Sequence, residues 1–121
     1  MENILKRHPH SAVVVLSVWE PILPTDWNPP GSGVLRRLSD TRVHQFWDSD
    51  HRVAFALKNT AGALRPNCCE HNGILWDLAA VYPPGVRWGE VAPAPVFLDG
   101  AVAPVANELE TAISKALGGK P

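Results

Sequence analysis

The sequence predicts an α/β protein, a three-layer α/β/α sandwich built on one four-stranded mixed sheet. Three observations lead there. Two apolar runs, 12–19 and 73–82, lack helical spacing and read as strands. Shorter strand-like and helix-like segments alternate around them, the pattern of βα units. A further strand is followed by the most regular amphipathic helix of the chain.

Each element has its own signal. "AVVVLSVW" (12–19) is a valine-rich, β-branched run and reads as a central strand buried on both faces, as in parallel sheets. "EPILPTDWNPPGSG" (20–33) is a loop by its prolines and glycines. "GVLRRLSD" (33–40) places Val34, Leu35 and Leu38 on one face of a short helix. "RVHQFWD" (42–48) alternates and predicts a strand. The stretch 48–59 opens on an N-cap candidate and carries Val53, Ala54 and Leu57 at helical spacing. "GILWDLAAVY" (73–82) predicts a second long strand. "APVFLDGAV" (94–102) is another, with an Asp-Gly turn signal. In "VANELETAISKAL" (105–117), Val105, Leu109, Ile113 and Leu117 form one stripe, and Gly118 and Gly119 stop the helix. The first two strands are expected to be parallel through a right-handed crossover, and the last two antiparallel neighbours.

Composition narrows the function classes. The chain has 121 residues, enough for one domain, 1–121, with one hydrophobic core. Net charge is −1, so nothing in the overall charge points to nucleic acid or an anionic membrane as a partner. No apolar run approaches the roughly 20 residues of a membrane span. The start, "MENILKRHPHS", has no apolar stretch of signal-peptide length, so a cytoplasmic location is expected. Two cysteines make no disulfide framework, in keeping with a reducing compartment. The 12 prolines stiffen the loops between elements.

The order of elements resembles the thioredoxin-like superfamily. "VHQFWDSDHRVAFAL" is similar to the peroxiredoxin stretch in which a strand ends at an aspartate before a helix. "PAPVFLDG" resembles the proline-led strand beside the active site of thioredoxin, glutaredoxin and peroxiredoxin folds. The resemblance implies a cis-proline at Pro93 or Pro95. It also implies a redox cysteine after the first long strand, and there this chain departs from the pattern. If "VVVLSVW" is that strand, "EPILPTDW" follows it without a cysteine. If "MENILKRH" is instead the end of the active-site helix, the preferred alignment, the Cys-x-x-Cys segment falls before Met1.

The only two cysteines are adjacent, Cys68 and Cys69, with His71 close by. They are the candidate catalytic residues if the chain does redox chemistry. Three readings stand: a vicinal dithiol, a soft-metal grip with His71, and two reduced thiols in a loop. The last is preferred. A disulfide between neighbours closes a tight ring and is rare and reducible. A zinc site wants more ligands and a wider spacing than Cys-Cys-x-His gives. No metal and no cofactor is therefore expected.

A second candidate group is a ligand cleft. In open α/β sheets, ligands bind beyond the carboxyl ends of the strands. Trp19, Asp26 and Trp27 follow the first strand; Trp47 and Asp48 end the second. His51 lies close to Asp48 and Asp50, where a carboxylate can polarise it as a base. The competing account is packing by the tryptophans and helix capping by the aspartates. His8 and His10 are expected in solvent and His44 as a satisfied strand residue. The two Trp-Asp pairs are too few for a propeller. No serine neighbours His51 in a recognisable nucleophile motif, so a hydrolase triad has no support.

These readings predict a degenerate thioredoxin-like domain that binds a small molecule or protein partner. The alternatives are a thiol oxidoreductase using Cys68 and Cys69, and an oligomeric interaction module. A homodimer is expected, because a long flat strand at 73–82 would leave an unblocked sheet edge.

Overall fold

The computed structural model describes residues 1–22, 28–60 and 68–118. The chain divides into two units, Met1–His51 and Arg52–Pro121.

In the first unit the two expected strands do pair. β1 (Val15–Trp19) and β2 (Val43–Trp47) are parallel, with Val15 opposite Val43, Ser17 opposite Gln45 and Trp19 opposite Trp47. Helix α1 (Glu2–Arg7) precedes them and buries Ile4 and Leu5. Between the strands, α2 (Ser32–Leu35) is a single turn rather than the helix expected over 33–40. Its continuation tightens into i to i+3 bonds, Arg37 N–H to the Val34 carbonyl and Leu38 N–H to the Leu35 carbonyl. β1 is not the doubly buried central strand that its composition suggested. Leu16 is 61% exposed and Phe46, on β2, is 52% exposed. The β-branched run set the strand, but among the described residues no third strand pairs with β1–β2, and Leu16 and Phe46 stay exposed. His44 shares that exposed face, so it is not a satisfied interior histidine.

The second unit opens with α3 (Arg52–Thr60), which starts later than the expected 48–59. His51 has φ 57, a left-handed conformation that cannot be part of a right-handed helix. The Asp48 backbone N–H donates to the Trp19 carbonyl at 2.8 Å. A small hairpin follows, β3 (Glu70–His71) against β4 (Ile74–Leu75), joined at Asn72-Gly73. β5 (Leu78–Val81) and β6 (Phe97–Gly100) are antiparallel, with Leu78 opposite Gly100 and Val81 opposite Phe97. Helix α4 (Ala106–Ala116) packs on β5 and buries Leu109 and Ile113, as its stripe required. Leu75, Val81, Ala92 and Leu98 complete this core with Ala54 of α3.

The four-stranded mixed sheet, and with it the α/β/α sandwich and the thioredoxin-like architecture, is overturned. The described strands form three separate two-stranded sheets, β1–β2, β3–β4 and β5–β6. The decisive break lies at Trp76-Asp77 inside the expected strand 73–82. Asp77 has φ 53, outside the extended region, so one ladder cannot run from Ile74 to Val81. The long flat edge that suggested a homodimer is therefore cut into pieces of two and four residues. The cis-proline expectation also fails: among the described residues the cis peptide bond joins Gly100 and Ala101, and the bonds preceding Pro93 and Pro95 are trans. No helix among the described residues is long and apolar enough to cross a membrane.

Candidate functional site

Two groups of chemistry-bearing side chains stand out, one in each unit. The first lies at the carboxyl ends of β1 and β2. The parallel register sets Trp19 beside Trp47, and the Asp48 N–H to Trp19 carbonyl bond carries the ladder one step further. The Trp19 indole Nε1 donates to Gln45 Oε1 at 2.9 Å. Gln45 Nε2 in turn donates to the Leu35 carbonyl at 2.9 Å. Trp19 is thus anchored by packing and a satisfied N–H, the bland account of a strand tryptophan.

Beyond the strands, Glu20 and His51 meet. His51 Nδ1 lies 3.0 Å from Glu20 Oε2, and the two side chains are only 16% and 12% exposed. Burial pushes the Glu20 carboxyl above its ordinary value, opposed by the hydrogen bond and charge of His51; the Asp48 carboxylate pushes in the same direction as burial. An ionised Glu20 accepts the Nδ1–H, which places the acceptor lone pair of a neutral ring at Nε2. This geometry can hold or pass a proton.

The sequence reading placed Trp19, Trp47, Asp48 and His51 at this end of the unit, and the structure brings them there. Asp26 and Trp27 lie outside the described residues. The polarising carboxylate is Glu20, which the sequence reading left in the loop. Its signal was its place as the first residue after the β-branched run, at the strand end where α/β ligands bind.

The second group is built around Cys68 and Cys69. They are not reduced thiols: their sulfurs are joined in a disulfide. The local chain explains how neighbours can meet. Asn72 and Gly73 have φ 50 and φ 80, the two positive values that a tight two-residue hairpin turn requires. That Asn-Gly signal was present in the sequence and went unread within a presumed loop. The turn folds β3 onto β4, and the ladder continues when the Trp76 N–H donates to the Cys69 carbonyl at 2.9 Å. Cys69 stands at the foot of this hairpin with φ 71, a left-handed conformation uncommon for a residue with a Cβ.

The hairpin is clamped from α3. Lys58 Nζ donates to the Gly73 carbonyl at 3.1 Å and lies 3.2 Å from Glu70 Oε1. On the other side stands Gly100 of β6, so close that a Cβ there would lie 2.9 Å from Cys69 Sγ. Both cysteines are half-buried, and His71 is exposed. Among the described residues no group of three or more His, Cys, Asp or Glu side chains is placed to hold a metal ion. The arrangement can accept two electrons and two protons and return them.

No known protein family, no curated protein and no solved structure matches this chain.

Proposed function

We propose that this chain is a thiol–disulfide redox domain whose working couple is Cys68–Cys69. The bond between adjacent cysteines at the foot of a clamped hairpin carries the reading. Adjacency forces a small ring, and the left-handed backbone at Cys69 adds a conformational cost of about 1–3 kcal/mol. Disulfides held under such constraint are the labile, regulatory or catalytic ones. The chemistry is ordinary exchange. A substrate thiolate attacks Cys68 Sγ; the S–S bond breaks and Cys69 leaves as a thiolate. A second thiolate then attacks the mixed disulfide, releasing Cys68 and an oxidised substrate. In the cytoplasmic location that the sequence suggests, thiol buffers hold the pair mostly reduced, and an oxidising excursion closes the ring.

Equilibration in glutathione buffers, alkylation and counting of labelled thiols by mass tests this. The expected result is a single two-electron transition at a potential above the roughly −300 mV typical of structural disulfides. A pair that stays oxidised in millimolar thiol, or one that never oxidises, would sink the proposal.

A second reading rests on the half-buried Glu20–His51 pair at the ends of the parallel strands. It is a binding site for a small polar ligand at these strand ends. Tryptophan fluorescence, with Trp19 and Trp47 close by, is the screen. A ligand whose signal is unchanged in His51→Ala does not use this site.

A further inference from the structure

We infer that the reduced Cys68–Cys69 pair is a chelating site for a trivalent arsenical with one organic substituent, one molecule per chain. This rests on the redox reading in one respect only, that the pair can be obtained as a dithiol.

The argument starts from what surrounds the sulfurs. The disulfide shows that the hairpin foot lets both Sγ atoms converge on one point. Opening the bond leaves two soft donors facing one another on a short, clamped segment. Among the described residues other donors are lacking. His71 is exposed and leans on Asn72, with His71 Nε2 3.4 Å from Asn72 Nδ2. Among the described residues no third ligand joins the cysteines to make a metal cluster.

Donor number and type then select the guest. Zinc needs four ligands in a tetrahedron, and two are missing. Calcium and magnesium need oxygen cages. Mercury(II) favours two sulfurs on opposite sides of the ion, and neighbouring residues cannot reach around it. Trivalent arsenic with one organic substituent needs only two sulfurs on the same side and is thiophilic, a match for soft thiolate donors. The exchange balances without an oxidant. Two As–O bonds break and two As–S bonds form, while each thiol proton leaves with a hydroxide as water. The ring so formed is the disulfide ring enlarged by one atom, so the left-handed Cys69 and its bond from Trp76 can be kept. The two-point grip sets the expected affinity. A second, intramolecular thiol strengthens capture by on the order of 10²–10⁴-fold over one thiol.

Phenylarsine oxide is the probe, added to the full chain after reduction with a phosphine and removal of excess reductant. The expected result is one equivalent bound, both cysteines protected from alkylation, and release by a small dithiol at concentrations where a monothiol fails. Cys68→Ser and Cys69→Ser should each bind at least 100-fold more weakly, in line with the lost chelation. If the reduced chain shows two free thiols and phenylarsine oxide protects neither, the arsenic site is overturned while the redox reading stands. If wild type binds no tighter than the single-cysteine variants, it is overturned likewise. Capture by a chain whose cysteines never oxidise would support the site and remove the redox reading.

Discussion

Asp40 grips the guanidinium of Arg42 through two side-by-side hydrogen bonds, Nε to Oδ1 at 3.0 Å and Nη2 to Oδ2 at 2.7 Å. The same guanidinium donates to the Leu5 carbonyl at 3.0 Å and the His8 carbonyl at 2.6 Å, at the end of α1. It also donates to Ser11 Oγ at 3.1 Å and to the Ser11 carbonyl at 3.4 Å. Arg42 also receives β1 through its own carbonyl, bonded by the Val15 N–H at 3.0 Å. Arg42 therefore adds hydrogen bonds to carbonyls at the end of α1 that also accept from the His8 and Ser11 N–H groups, and fixes the first residue of the parallel pair.

Replacing Arg42 should loosen the first unit. Arg42→Ala is expected to lower the melting temperature, and Arg42→Lys should not restore it, because an ammonium cannot reproduce the planar fork. Circular dichroism melts of the two variants check this; full recovery in the lysine variant would argue against the fork.

The same pair predicts an acid limb. Its hydrogen bonds to Arg42 hold the Asp40 carboxyl at about 2, below its ordinary 3.8. A carboxyl depressed by folding contributes stability above its unfolded value and loses it as pH falls toward the folded one. Wild type should therefore lose stability between pH 3.8 and about 2 more steeply than Asp40→Asn. Denaturant melts at stepped pH measure the two slopes.

Glu20 predicts the opposite sign. Burial raises its carboxyl above 4.5, so the folded chain binds this proton more tightly than the unfolded one. The associated stability is present at low pH and declines as pH rises from 4.5 through the folded value. The melting temperature of wild type relative to Glu20→Gln should fall over that window. A difference that is flat, or that grows with pH, would mean that the His51 bond outweighs the burial of the carboxyl.

Leu109 is 2% exposed on the inner face of α4. Leu109→Ala should cost about 2–5 kcal/mol, from lost apolar contact and the cavity left behind. That is a large share of the ~5–15 kcal/mol expected of a domain. An unchanged urea midpoint would show that α4 does not dock on β5 in solution.

Gly100 is a packing glycine. A methyl group there would collide with the Asp77 carbonyl and lie 2.8 Å from Leu78 Cδ2 and 2.9 Å from Cys69 Sγ. The Asp77 contact is backbone and cannot swing away. Gly100→Ala should destabilise by about 1–3 kcal/mol, the range for overpacking. It should also change the rate at which thiols reduce the disulfide, since the crowded sulfur belongs to Cys69. Equal reduction rates in variant and wild type would place the sulfur away from Gly100.

Much of the local structure was legible. The alternation at 42–48, the stripe of α4 and the antiparallel neighbours β5 and β6 follow from side-chain periodicity, which is a property of a few consecutive residues. The strand-end group of Trp19, Trp47, Asp48 and His51 was legible for the same reason, because parallel pairing puts strand ends together. The disulfide was not. Adjacent cysteines carry no sign of their bonding, and the left-handed turn at Cys69 is set by the hairpin that follows it. Glu20 was visible only as a loop residue until the fold of 48–51 brought the imidazole to it.

By itself, then, the sequence determined the strands at 15–19, 43–47 and 97–100 and the helix at 106–116, which face of α4 is apolar, and that β1 and β2 can lie parallel. The tertiary structure decided which strands share a sheet, where the run 73–82 breaks, and which side chains meet. The physical reason is the range of the forces. Helical and strand periods act between residues a few positions apart. Ladder hydrogen bonds, the clamp from Lys58 and the contact of Cys69 with Gly100 join residues distant in the chain. They depend on backbone turns, such as those at Asn72 and Asp77, that hydrophobic patterning does not encode.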